Sequence, residues 1–174
     1  MNPERPQSEE HSPYFSKYVD LVPDGDIVQM LEAEFERDFA ALEGITAQQA
    51  HSRYAPGKWS VLEVIGHLSD VERVFSYRAL RFARGDDTPL SEFDENAWMK
   101  LANFDSRELT SLLEELRCVR AASLSLYRHL EPNAWLRRGL ASGVTTSVRA
   151  LAFMTLGHEL HHRELFRTRY NLEI

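Results

Sequence analysis

The sequence predicts an all-α fold, a four-helix bundle over residues 23–174 behind a polar arm at residues 1–22. Three observations lead there. Four segments carry apolar residues at helical spacing, no stretch alternates as a strand does, and helix-start chemistry precedes the periodic runs.

The first segment runs from Asp26 to Glu43, with Val28, Leu31, Phe35, Phe39 and Leu42 on one face. The second opens on Ser60 and Glu63, a capping box in which each side chain satisfies a backbone donor at the helix end. Trp59 and Val64 can form the accompanying hydrophobic staple. The helix continues to about Phe82, and Gly85 offers a stop. The third segment starts with the same spacing at Asp105 and Glu108, turns Leu109, Leu112, Leu113, Leu116 and Val119 inward, and ends near Leu130, before Pro132. The fourth starts at Thr146 or Ser147 and runs to about Tyr170.

About twenty residues, Arg84 to Phe104, join the second and third helices. A connection that long is uncommon in a compact domain. It fits a bundle with a crossover between its middle helices better than an up-down-up-down meander. The crossover is expected to lie across one end of the bundle. The arm is polar and proline-containing, with little intrinsic order expected except where Tyr14, Phe15 and Tyr18 pin it to the bundle.

Composition narrows the function classes. A net charge of −7 argues against nucleic acid and anionic membranes as partners, since both reward basic patches. The longest apolar run, Ala150 to Met154, is far short of the ~20 residues of a membrane span. No signal peptide is read at the N-terminus. Cys118 is the single cysteine, so no internal disulfide can form, which suits a cytoplasmic location. Cys118 itself reads as a half-buried helix residue.

Seven histidines are present, and three stand apart from the rest. His158 and His162 are four residues apart in the fourth helix, which stacks their rings on one face, roughly 6 Å between Cβ atoms. That face also carries Leu151 and Leu165, so it points to the core. Two buried imidazoles need partners that an apolar stripe does not offer. His67 lies midway along the second helix among Val64, Val71 and Val74, where a polar residue is out of place. Three histidines from two helices can hold one ion and leave a coordination position open, as catalytic rather than structural sites do. Nitrogen donors suit zinc, nickel, copper or iron. His161, three residues from His158, could replace His162 or flank the site. Asp70 and Glu159 are the candidate catalytic carboxylates, and Glu63 could orient a ligand.

His158-Glu159-Leu160-His161-His162 also fits the H-E-x-x-H pattern of zinc proteases, with Glu159 as general base. Twelve residues follow, with no histidine among them to supply a third ligand, and no strand is evident to cradle a peptide. The protease reading is set aside.

Two stretches resemble the DinB-like superfamily: Gly57-Lys58-Trp59-Ser60-Val61-Leu62-Glu63-Val64-Ile65-Gly66-His67-Leu68, and Gly157-His158-Glu159-Leu160-His161-His162-Arg163-Glu164. The resemblance covers about Leu21 to Tyr170. It implies an up-down-down-up bundle, a metal on His67, His158 and His162, and a homodimer. Several branches of that family are metal-dependent transferases or isomerases using low-molecular-weight thiols, and others are labelled metal-dependent hydrolases. The expectation is therefore a transferase joining such a thiol to a small-molecule electrophile. Zinc or nickel is the expected ion, and Arg78 and Arg81 are candidates for binding the thiol cofactor. Hydrolysis and non-catalytic metal or ligand binding are the alternatives.

Overall fold

A computed structural model describes residues 3–174. A short 3₁₀ turn at Ser8–Glu10 leads into α1 (Pro13–Val19), α2 (Ile27–Glu43), α3 (Ala47–Ala50), α4 (Val61–Ala83), α5 (Glu95–Ala102) and α6 (Leu109–Arg128). A hairpin of β1 (Arg138–Ala141) and β2 (Val144–Ser147) follows, then α7 (Val148–Arg169). The four long helices, α2, α4, α6 and α7, make the bundle.

Capping chemistry sets three of their starts. Asp26 accepts from the amides of Val28 and Gln29, Ser60 and Glu63 form the expected box, and Ser147 accepts from Ala150 N. The fourth start differs from expectation. Asp105 and Glu108 form no box, and α6 begins at Leu109 without a side-chain cap. Asp105 instead pairs with Arg53 and accepts from the Ser60 hydroxyl. A cationic partner outcompetes a neutral backbone amide for that carboxylate.

Helix directions follow from the contacts at their ends. Tyr170, at the end of α7, donates to Trp59 O at the start of α4 (2.7 Å), so these two run antiparallel. Asp105 beside Ser60 and Arg120 beside Glu72 make α4 and α6 parallel. Arg128 pairs with Glu32 while Arg117 covers the Phe39 ring, so α2 and α6 are antiparallel. The order is up-down-down-up. The main packing pairs are α2 with α6 and α7, and α4 with α6 and α7, which leaves α2 opposite α4.

Parallel α4 and α6 oblige the chain between them to return the full length of the bundle. It does not lie across one end, as the sequence suggested. Leu90 exchanges backbone hydrogen bonds with Leu140 and Ser142 beyond the end of α4 (2.9 and 3.0 Å), and Phe104 then packs on Gly66 near its start. Gly66 is required there, because a Cβ would lie 2.5 Å from the Phe104 ring.

Two features were not legible as secondary structure. The hairpin has four-residue strands, too short for alternation to show, closed by Ser142 and Gly143 at positive φ (52° and 75°). The N-terminal arm, expected to have little order, carries α1. Ser12 caps it and Pro13 occupies its first position. α1 packs on α7. Arg5 donates to the carbonyls of Val19 and Val22 (2.8 and 2.6 Å), and Glu10 pairs with Arg149 in a buried ion pair.

The apolar core falls into two clusters along the bundle axis. One contains Leu31, Phe75, Phe82, Tyr127, Leu151 and Leu156; the other contains Phe39, Val61, Ile65, Leu112, Leu113 and Phe166. Between their residues, on α4, α6 and α7, the chain places His67, Glu72, Arg120, His158, Glu159 and His162, all buried. This polar layer at mid-bundle positions the site. Among the described residues no helix is long and apolar enough to cross a membrane. Cys118 is exposed, not half-buried.

Candidate metal centre

His67 is carried by the second turn of α4, downstream of the Ser60 cap, and its ring lies 4.8 Å from that of Trp59. His158 and His162 come from successive turns of α7. Each of the three is about 7% exposed. Nε2 of His158 stands 3.1 Å from Nε2 of His67 and 3.1 Å from Nε2 of His162. The three donor atoms lie within 4.8 Å of one another.

Burial holds the His67 imidazole down at about 4. His158 and His162 are lowered well below the ordinary histidine range, by burial first and then by the neighbouring imidazoles. All three are therefore neutral at pH 7, the state a ligand needs. A neutral ring nitrogen offers one proton or one lone pair, so His158 Nε2 cannot complete good hydrogen bonds to both neighbours. One ion among the three satisfies every lone pair at once. Tetrahedral ligands at ~2.05 Å stand roughly 3.4 Å apart, close to the spacing seen. The donor set thus fits a divalent transition metal.

The three histidines line a pocket of about 200 Å³ with Tyr14, Phe15, Tyr18, Trp59, Val71, Phe75, Phe93, Glu95 and His161. Its walls come from α1, α4, the crossover and α7. His161 does not join the cluster of ring nitrogens; it flanks the pocket, its ring 5.2 Å from Tyr18. Phe93 and Glu95 belong to the crossover and Tyr14, Phe15 and Tyr18 to the arm, so sequence reasoning missed most of the wall.

The other expected site residues lie elsewhere. Asp70 sits on the outer face of α4, 3.4 Å from Arg73. Burial raises its carboxyl despite that arginine. Glu63 is held by the Ser60 amide and Arg53. Glu159 is turned into the bundle, where Arg120 Nη2 donates to it at 2.8 Å. Burial raises the Glu159 carboxyl, against the pull of Arg120. It is engaged in that ion pair and is not free to act as a base in the pocket. Arg78 donates to Ser91 O (2.7 Å) and Ser142 Oγ (3.0 Å), and Arg81 pairs with Asp86 and Tyr77. Neither arginine lines the pocket. Lys17 lies 4.0 Å over the ring of Tyr14, a residue of the pocket wall.

A four-helix bundle with three converging, buried, neutral histidines defines a class of candidate metalloproteins. The sequence profile of the DinB superfamily matches residues 30–166, and the chain belongs to that superfamily. Among curated proteins it is 30% identical over 93 residues to YfiT of Bacillus subtilis, provisionally named a metal-dependent hydrolase. That match covers 51% of this chain and 52% of YfiT, so the chain spans about half the length of the curated relative it matches. The solved structure of YfiT, described as an unusual four-helix bundle, superposes with a TM-score of 0.70 at 21% identity, over 98% of this chain and 95% of that one. A mycothiol-dependent maleylpyruvate isomerase superposes with a TM-score of 0.66 at 14% identity, over 84% and 62%. At these identities the two structures show the shared fold.

Proposed function

We propose that this chain is a metal-dependent transferase that joins a low-molecular-weight thiol to a small, largely apolar electrophile. One divalent transition metal, zinc or nickel, would be held by His67, His158 and His162. The observation that carries this reading is the convergence of three neutral Nε2 atoms at the wall of an aromatic pocket. When bound, the ion would favour the thiolate form of a coordinated thiol and so supply a nucleophile at neutral pH.

The chain's own side chains do the rest. Phe15, Tyr18, Trp59, Phe75 and Phe93 exclude water and give an apolar electrophile a surface to pack on. Lys17, over the Tyr14 ring, would receive a carboxylate of the thiol, in the role first expected of Arg78 and Arg81. Thiol transfer needs no separate base once the thiolate forms, which suits a site whose buried Glu159 is engaged by Arg120. The mycothiol-dependent isomerase supports the thiol at the level of fold.

Hydrolysis is the second reading. Glu95 is a carboxylate in the pocket wall that could accept a proton from a water nucleophile, and YfiT carries the hydrolase name. A homodimer belongs to the same proposal and is decided by sedimentation.

The test starts with metal content of protein purified without a histidine tag. Near one equivalent in wild type, lost in His67→Ala and His158→Ala while helicity persists, supports the site. No metal after incubation with zinc or nickel overturns it. Metal-loaded protein is then assayed with monochlorobimane plus a thiol, and with an activated ester without thiol. Metal-dependent consumption of bimane supports the transferase; ester cleavage alone supports the hydrolase.

A further inference from the structure

His158 borders two cavities. One is the aromatic pocket. The other, of about 10 Å³, is lined by Glu72, Arg120, Thr155 and Glu159 among others, with room for about one water. Its polar walls form the most buried ionic cluster among the described residues. Arg120 donates from Nε to Glu72 (2.8 Å) and from Nη2 to both Glu72 (2.9 Å) and Glu159 (2.8 Å). Its remaining nitrogen, Nη1, donates to Leu31 O at 2.7 Å. The guanidinium therefore ties α6 to α4, α7 and α2 at one level of the bundle, and it is only 3% exposed.

Charge in this layer does not balance. Glu34 and Asp38 are matched by Arg37 and Arg163. Glu72 and Glu159 share the single guanidinium of Arg120. The cluster thus sets two buried carboxyl groups against one guanidinium, a costly arrangement unless something positive joins it. The histidine triad adjoins this cluster through the His158–Glu159 step of α7, and His158 lines the same small cavity.

We propose that Arg120, Glu72 and Glu159 form the outer support of the metal centre, with Arg120 as its positioning residue. The guanidinium fork fixes Glu159, and through it the α7 turn that carries His158 and His162. The unmatched carboxylate of the cluster makes the triad favour a dication. Groups in this outer role, which hold ligands and balance charge, change metal affinity about 10–100-fold when replaced. The inference rests on metal binding at the triad and is independent of which reaction follows.

The experiment measures zinc affinity by competition with a chromophoric chelator, the cobalt(II) spectrum, and the melting temperature of the metal-free protein. Glu159→Gln keeps the shape and leaves Arg120 and Glu72 as a balanced pair. It is expected to melt close to wild type when metal-free, yet to bind zinc about 10–100-fold more weakly. Arg120→Lys keeps the charge without the fork, and is expected to bind with intermediate affinity and an altered cobalt spectrum. Zinc affinity and cobalt spectrum unchanged in Glu159→Gln would overturn the proposal. So would affinity that falls only in proportion to metal-free stability, the behaviour of a purely structural ion pair. Absence of metal from wild type overturns the metal reading itself, and this inference with it.

Discussion

Gly157→Ala probes how the N-terminal arm is seated over the histidines. Gly157 precedes His158 on α7, and α1 lies against it backbone to backbone. A Cβ on Gly157 would stand 3.0 Å from Tyr18 Cα, and nearer still to the Tyr18 carbonyl, where ordinary contact begins at 3.4 Å. Neither element can yield by a side-chain rotation, so α1 must back away by roughly 1 Å, and interiors packed like crystals transmit such strain. Overpacking of this kind costs about 1–3 kcal/mol, and alanine returns about 0.5–1 kcal/mol of helix propensity. The net loss of about 1–2 kcal/mol corresponds to a melting point lower by roughly 2–8 °C in a chain of this size. The loss is expected to fall on α1 rather than on the bundle. Hydrogen exchange at residues 13–22 should quicken, trypsin should reach Lys17, and amides of α4 and α6 should keep their protection. A variant as stable as wild type, with residues 13–22 equally protected, would refute the claim that this close approach seats the arm.

The Glu10–Arg149 pair makes a second tether for the arm, and its strength should depend on pH. Burial raises the Glu10 carboxyl, but hydrogen bonds from Arg149 and Ser147 more than reverse this and hold it at about 2, below its ordinary 4.5. The pair's contribution is thus complete above pH ~4.5 and lost as pH falls toward 2, with a ceiling of about 3 kcal/mol before solvent screening reduces it. Wild type should exceed Glu10→Gln in melting temperature at pH 6, and the gap should close between pH 4.5 and 2; a gap independent of pH would refute the assignment. Gly66→Ala should lose about 1–3 kcal/mol by pressing on Phe104. Phe104→Ala in the same chain should restore part of this, and a double-mutant cycle with no coupling would count against the contact. Zinc at about 100 times its Kd should stabilise wild type by about 2.7 kcal/mol in denaturant unfolding. His162→Ala should gain far less, and an equal gain would place the ion elsewhere.

The sequence was informative where local chemistry decides structure. The Ser60 box, the Ser147 cap and the four apolar faces are properties of short windows, and the structure follows them. The histidines were legible for a related reason: His67, His158 and His162 interrupt apolar arcs, and a polar ring on such an arc must have a partner. The same reasoning applies to Glu72 between Leu68 and Phe75, and to Arg120 beside Val119, yet a charge on a helix is ordinarily read as surface. Only the packing of four helices brings them together. Asp70 was chosen for its place one turn after His67, and Arg78 and Arg81 as cations toward the end of α4, but their partners, Arg73, Ser91, Ser142 and Asp86, decide where they point. Ser12-Pro13 did mark a helix start in the arm, and the polar composition around it obscured the signal.

Topology explains why the histidines and the pocket walls have such different origins. In the up-down-down-up order α4 and α7 are antiparallel neighbours, so the second turn of α4 meets the middle turns of α7 and the two can share one ion. The same order makes α4 and α6 parallel, which forces the crossover along the bundle and brings Phe93 and Glu95 over the triad. The arm closes the remaining side with Tyr14, Phe15 and Tyr18. The three histidines therefore sit in the buried core, where a substitution is felt by the whole bundle. Much of the pocket wall sits on two connecting segments, which can change without disturbing that core. Substrate choice in this chain should accordingly move with changes at Phe93, Glu95 and Tyr14, and metal binding should not.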